Sequence, residues 1–234
     1  MASRGIIYSA TGDKYIAEAV ASAVSSLRYN DMPHLIFADP MPETAPRHID
    51  FVPFHPCGRP FLDKVRNLRR TPFDETLFID TDTYVAANLD DVFDLLRRFD
   101  LAVTHAPGYT KCDDREQSEA FYEFNTGVIA YRVSPAMDAF LAEWDRLYTA
   151  WSANPPFHLF GNDQAPFRRV LWNSQLSFYV LTPEYNYRPT FPGKLVGRAK
   201  IIHGRSTNYE RLEAHLNAAS GPRTFPRFAP DHPW

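Results

Sequence analysis

A chain of 234 residues lies just under the roughly 250–300 at which single cores divide, so one α/β domain is the expected organisation. With 44% hydrophobic and 23% charged residues, the composition excludes a disordered or fibrous chain. A net charge of −3 excludes a broad polyanion-binding surface and so a nucleic-acid polymer as partner, while leaving local anion sites open to Arg66, Arg69, Arg70, Arg168 and Arg169.

In chain order, residues 5–9 read as a buried strand and 13–28 as a helix, with Ile16, Val20, Ala23, Val24 and Leu27 at helical spacing. Short apolar runs recur at 34–38, 49–54, 76–79, 101–104 and 127–131, several of them followed by helix-period segments. This alternation predicts a mostly parallel central sheet with helices on both faces. Residues 107–123, with Gly108 and a polar run over 110–119, read as a long loop of the kind that forms functional lids. The strongest helix follows the cap Ser134, with Pro135 in first position. Its stripe of Met137, Phe140, Leu141, Trp144, Leu147, Tyr148 and Trp151 reads as core rather than as a platform for sugar. The Pro-rich stretch 220–234 reads as a disordered tail, or else as a strap over the site, after a single domain spanning 1–219.

Cys57 and Cys112 have neither metal-site spacing nor a disulfide framework, and fit a reducing compartment. No basic-then-apolar leader and no apolar window of membrane length is seen, so the expected address is the cytoplasm.

The segment Thr76-Leu77-Phe78-Ile79-Asp80-Thr81-Asp82-Thr83 is an apolar run that ends in two carboxylates. It places charge at the carboxyl end of a buried strand, where open α/β sheets bind ligands. Residues i and i+2 of an extended chain point the same way, so Asp80 and Asp82 can address one hard cation, which in turn can neutralise a diphosphate. The competing reading is that the pair only caps and solvates a turn.

At this point the chain resembles the glycogenin-like branch of the GT-A glycosyltransferases (glycosyltransferase family 8-like), whose Asp-x-Asp motif holds a divalent metal on a nucleotide diphosphate. The segment Ile6-Ile7-Tyr8-Ser9-Ala10-Thr11-Gly12-Asp13-Lys14-Tyr15 is similar to that family's first strand and nucleotide-binding turn. The likeness implies that Ser9, Ala10, Thr11 and Gly12 hold the base through backbone groups and that Tyr15 stacks on it. Phe61-Leu62-Asp63-Lys64-Val65-Arg66 puts Lys64 where the family has a donor-contacting lysine. Phe78-Ile79-Asp80-Thr81-Asp82-Thr83 matches the acidic motif, and Phe124-Asn125-Thr126-Gly127-Val128 resembles an Asn-Ser-Gly segment beside the donor sugar. Gly161-Asn162-Asp163-Gln164 is similar to a Gly-Asp-Gln stretch with Asn162 inserted, implying that Asp163 and Gln164 face the sugar near the reacting carbon. Lys200-Ile201-Ile202-His203-Gly204 resembles the late strand whose histidine is the third metal ligand.

All six segments keep the family's order. The late segment departs from it, because Gly204, Arg205, Ser206 and Thr207 stand where the family continues through a glycine and a lysine to Lys-Pro-Trp. Arg205 is the expected substitute as an anion ligand.

The resemblance implies a metal-dependent, hexosyltransferase-like enzyme using Mn²⁺ or Mg²⁺ and a UDP-sugar, with retention at the anomeric carbon. A glycan, a protein or a small molecule would be the acceptor. Asp163 as base of an inverting reaction stays open, as does a non-catalytic nucleotide-sugar-binding protein of the same fold. Taken without the resemblance, Asp163 caps a helix, Asn125 and Gly127 serve a turn, His203 is a hydrogen-bonded strand end, and Lys64 is a solvated charge. A sugar-1-phosphate nucleotidyltransferase would carry a Gly-rich basic loop after the first strand, and an Asp-x-Asp phosphohydrolase its pair there; residues 9–13 offer neither.

Overall fold

The structure is a computed structural model, and it describes residues 2–108, 117–155 and 162–228. Much of the predicted loop at 107–123 therefore lies outside the described residues, as does Gly161.

The chain opens with β1 (Arg4–Thr11), α1 (Asp13–Ser26), β2 (His34–Asp39), β3 (Ile49–Pro53) and α2 (Pro60–Leu68). It continues through β4 (Glu75–Ile79), β5 (Thr83–Val85), α3 (Asp90–Leu95), β6 (Leu101–His105) and β7 (Phe124–Arg132). The last third holds α4 (Pro135–Ala153), α5 (Gln164–Asn173), β8 (Phe178–Leu181), β9 (Gly193–Leu195), β10 (Ile201–His203), α6 (Tyr209–Leu216) and β11 (Arg223–Phe225).

Seven strands form one sheet in the order β3-β2-β1-β4-β7-β6-β8. Only β7 runs against the rest, pairing antiparallel with both β4 and β6. Side chains alternate between the two faces, as the strand period requires. Ile6, Tyr8, Ala10, Leu77 and Ile79 meet α1 and α3 on one side, with Ile16, Ala19, Val92 and Phe93. Ile7, Phe78, Ile129 and Tyr131 meet α2, α4 and α5 on the other, with Leu62, Val65, Phe140, Trp144 and Phe167. These buried strands lack polar alternation because both faces are covered.

The helix after Ser134 forms as its cap predicts, the Ser134 hydroxyl accepting from the Met137 amide at 3.1 Å. All of its stripe is buried except the half-buried Leu147. In α1, Val24 faces solvent, and Ala19, Ser22, Ser25 and Ser26 take the buried positions instead. Small side chains there let the helix lie close: Ser22 and Ser25 hydrogen-bond Thr83 and the Val85 amide of β5.

The expectation of a disordered tail is corrected for its described part. Arg223–Phe225 pairs antiparallel with β9, and Phe228 is buried beside Leu212 and Leu216, its amide donating to the Pro189 carbonyl. Phe225 and Phe228 supply the apolar area that repays ordering a Pro-rich chain. Among the described residues no helix is long and apolar enough to cross a membrane.

Candidate active site

The carboxyl ends of β1 and β4 open into a cavity of about 400 Å³. Because β7 is antiparallel, it brings its amino end, Asn125 to Gly127, to the same edge, where the Asp80 amide donates to the Gly127 carbonyl at 2.7 Å. The β6–β7 register shifts between Val103 and Thr104, freeing 126–128 from β6. Irregularities of this kind re-aim side chains beside functional sites.

Beyond β4 the chain bends at Thr81 and Asp82 and enters β5, which pairs with β10 so that Thr83 lies opposite His203. The Gly204 amide donates to the Asp82 carbonyl at 2.8 Å, closing the bend. One ligand atom each of Asp80, Asp82 and His203 lies within 4.8 Å of the others. His203 Nε2 is 3.6 Å from Asp80 Oδ2 and 3.4 Å from Asp82 Oδ1. The two aspartates thus converge through a bend rather than along an extended strand.

His203 is almost wholly buried, and its Nδ1 hydrogen-bonds Asn186 Oδ1 at 2.8 Å. An amide oxygen only accepts, so Nδ1 donates, and Nε2 is the ring nitrogen that faces the carboxylates. Asn186 is held in turn by donating to Thr104 Oγ1 and Asn125 Oδ1, both at 2.8 Å. Asn125 donates to Gln164 Oε1 at 3.0 Å, and Gln164 donates to Glu123. One polar chain therefore ties the His203 ring to Asn125 and Gln164. Replacing Asn186 with Leu should weaken divalent-cation affinity about 10–100-fold, the usual effect of losing such a support, measurable by Mn²⁺ titration.

Gly127 explains how closely these groups pack. A Cβ there would overlap His203 Cε1 and lie 2.6 Å from Asp80 Oδ2. The glycine makes room for two side chains of the cluster, not for a ligand against the backbone. Gly127→Ala should displace both and lower stability by about 1–3 kcal/mol as overpacking does, with Mn²⁺ binding lost in the same protein. Thermal unfolding with and without Mn²⁺ checks it.

Burial pulls the Asp82 pKa upward, but the hydrogen bond and charge of His203, with Arg205 and Arg188, more than reverse this and hold it below the usual carboxylate range. Burial raises Asp80, with Lys64 and His203 opposing. Burial lowers Lys64, but Asp163 and Asp80 outweigh it and raise it. Lys64 is buried, with Nζ 2.7 Å from Asp163 Oδ2, 3.6 Å from Asp80 Oδ1 and 3.2 Å from Thr126 Oγ1. It is not the solvated charge that its helix position alone suggests.

Asp163 precedes α5 without a side-chain cap bond. Its carboxylate accepts from Thr126 Oγ1 at 3.0 Å, and its carbonyl accepts from Trp144 Nε1 at 3.0 Å.

Of the residues singled out in the sequence, Ser9, Thr11, Tyr15, Lys64, Asp80, Thr81, Asp82, Asn125, Thr126, Asp163, Gln164, His203 and Arg205 line the cavity. Ala10, Gly127 and Gly204 do not: Ala10 packs in the core, Gly127 backs the cluster, and Gly204 turns the chain at φ 124°. Tyr15 stays partly exposed, with Lys14 Nζ and Arg205 Cζ 5.7 and 5.9 Å from its ring centre. Arg205 is held in a bidentate pair by Glu18, at 2.8 and 3.0 Å. Sequence reading missed Asn186, and also Arg188, Phe61 and Asn162 on the wall. Asn186 and Arg188 sit in an irregular segment between strands, where no periodicity marks them.

No protein-family model matches the sequence, and no curated protein matches it. Solved structures do. A galactosyltransferase, LgtC, in complex with donor and acceptor sugar analogues superposes with a TM-score of 0.65, at 15% identity over 92% of this chain and 97% of that one. This chain has the GT-A glycosyltransferase fold. The bifunctional glycosyltransferase WbbM (TM-score 0.62, 15% identity) is matched over 88% of this chain and 46% of its own. Mouse xyloside xylosyltransferase 1 (0.59, 14%) is matched over 87% and 98%. All three neighbours are glycosyltransferases. In a GT-A fold, an acidic pair joined by a buried histidine beside a cavity at the strand ends is compatible with a divalent ion and a nucleotide-sugar donor.

Proposed function

We propose that this protein is a metal-dependent, hexosyltransferase-like glycosyltransferase that takes a UDP-sugar and transfers the sugar to a glycan, a protein or a small molecule with retention of configuration. The observation that carries the reading is the convergence of Asp80, Asp82 and His203 at the edge of the cavity. Two carboxylates and an imidazole suit Mn²⁺ or Mg²⁺, and the space reserved by Gly127 lets them close on one point. When bound, such an ion supplies Lewis acidity toward the leaving diphosphate.

The chain's own residues do the rest. The end of β1, with Ser9 and Thr11 on the cavity wall, receives the base, and Tyr15 offers an aromatic face to it. Thr81 and Arg205 border the diphosphate. Thr126 and Gly127 fix Lys64, Asp163 and the metal ligands in place, and Asn125 and Gln164, locked to one another, orient the sugar. Asp163 spends its carboxylate on Lys64 and Thr126. That engagement favours an orienting role over that of a free base, and supports retention. The proposed compartment is the cytoplasm, in keeping with the exposed free thiol of Cys57.

Thermal shift with UDP, GDP, CDP and their sugars, with and without Mn²⁺, tests the reading, because a ligand of the folded state raises the melting temperature. UDP compounds should give a manganese-dependent shift, and UDP should be released from the sugar nucleotide on turnover. A shift without turnover under any acceptor screened points to the non-catalytic binding protein. No shift with any nucleotide sinks the proposal.

A further inference from the structure

We infer that Arg188 binds the diphosphate of the donor; this rests on the glycosyltransferase reading above. Three cationic side chains line the cavity, and two of them are already engaged. Lys64 is neutralised by Asp163 and Asp80, and Arg205 by Glu18 with Asp82 at 3.7 Å. Arg205, the substitute expected from the sequence, is also half exposed and directed along α1.

Arg188 differs from both. Among the described residues it forms no ion pair, and its Nε is buried without a hydrogen-bond partner. Its Nη1 lies 3.4 Å from His203 Nε2, so the guanidinium borders any oxygens that approach the same ligand set.

The backbone holds the residue there firmly. The Tyr187 amide donates to the Ile201 carbonyl, the His203 amide to the Tyr187 carbonyl, and the Phe228 amide to the Pro189 carbonyl. Arg188 is half-buried, and a buried guanidinium nitrogen without a hydrogen-bond partner is costly unless a ligand completes it. A planar fork of donors fits two oxygens of a phosphate, which Lys64 and Arg205 cannot serve while their carboxylates hold them.

The test compares wild type with Arg188→Gln and Arg188→Lys. Calorimetry follows UDP and uridine in the presence of Mn²⁺, and electron paramagnetic resonance follows Mn²⁺ alone. Arg188→Gln should weaken UDP roughly 10- to 100-fold, the range for a lost hydrogen bond to a charged group, with uridine unmoved and partial recovery in Arg188→Lys. Mn²⁺ alone should bind the Gln variant as tightly as wild type or more tightly, because a positive charge beside its ligands is gone. A structural role cannot produce those opposite movements. Unchanged UDP affinity in Arg188→Gln overturns the inference, as does a joint fall in UDP, uridine and Mn²⁺ binding. A wild type that fails to bind UDP overturns the donor reading itself and this inference with it.

Discussion

Asp80→Ala, Asp82→Ala and His203→Ala should each reduce glycosyl transfer by at least roughly 10²–10³-fold, the effect of removing one preorganised electrostatic group at a leaving oxygen. The three side chains converge within 4.8 Å, so in the proposed reading they serve one ion and act as a unit. Groups that act as a unit lose their function together, and the costs do not add. The Asp80→Ala/Asp82→Ala double variant should therefore be little worse than either single one. Saturating Mn²⁺ should partly restore Asp82→Ala but not the double variant. Asp82 is the ligand held ionised by His203, Arg205 and Arg188, so its loss also removes the group closest to being ready for a cation. Strictly multiplicative losses in steady-state rates, or full activity in a chelator, would count against a shared ion.

What the sequence revealed of this site follows from where its chemistry sits. Asp80 and Asp82 were legible because the apolar run Leu77 to Ile79 reads as a strand covered on both faces, whose end places carboxylates at a sheet edge. His203 was legible as a ligand through the resemblance, since Ile201 and Ile202 by themselves mark only a strand end. The direction of β7 was not, since alternation at period two is identical for parallel and antiparallel strands. Yet that direction brings Asn125 to Gly127 to the site. Asn186 and Arg188 were invisible for a different reason: each lies in irregular chain, and its partner is fixed by tertiary contacts with β10. Phe225 and Phe228 escaped because the prolines around them dominate local composition, whereas two aromatic side chains suffice to dock the segment. Lys64 was ambiguous because a nine-residue helix buried along much of its surface gives no clean polar face.

Lys64→Met should be the most destabilising single change in the site, costing about 3–5 kcal/mol, the effect of breaking a buried pair from one side. The side chain is 4% exposed and bridges Asp163 at 2.7 Å and Asp80 at 3.6 Å, so its removal leaves two carboxylates without their cation. Methionine fills most of the volume, so the loss is electrostatic rather than a cavity. For a chain of this size the melting temperature should fall by roughly 6–20 °C. Adding Asp163→Asn should recover part of it, because the amide needs no counter-charge and can still accept from Thr126. Mn²⁺ should also raise the melting temperature of Lys64→Met by more than that of wild type, since an ion held by Asp80 then replaces the missing charge. The same variant on a solvated lysine would change stability by less than about 0.5 kcal/mol. A melting temperature within a degree or two of wild type would therefore show that Lys64 is not the buried counter-ion of Asp163.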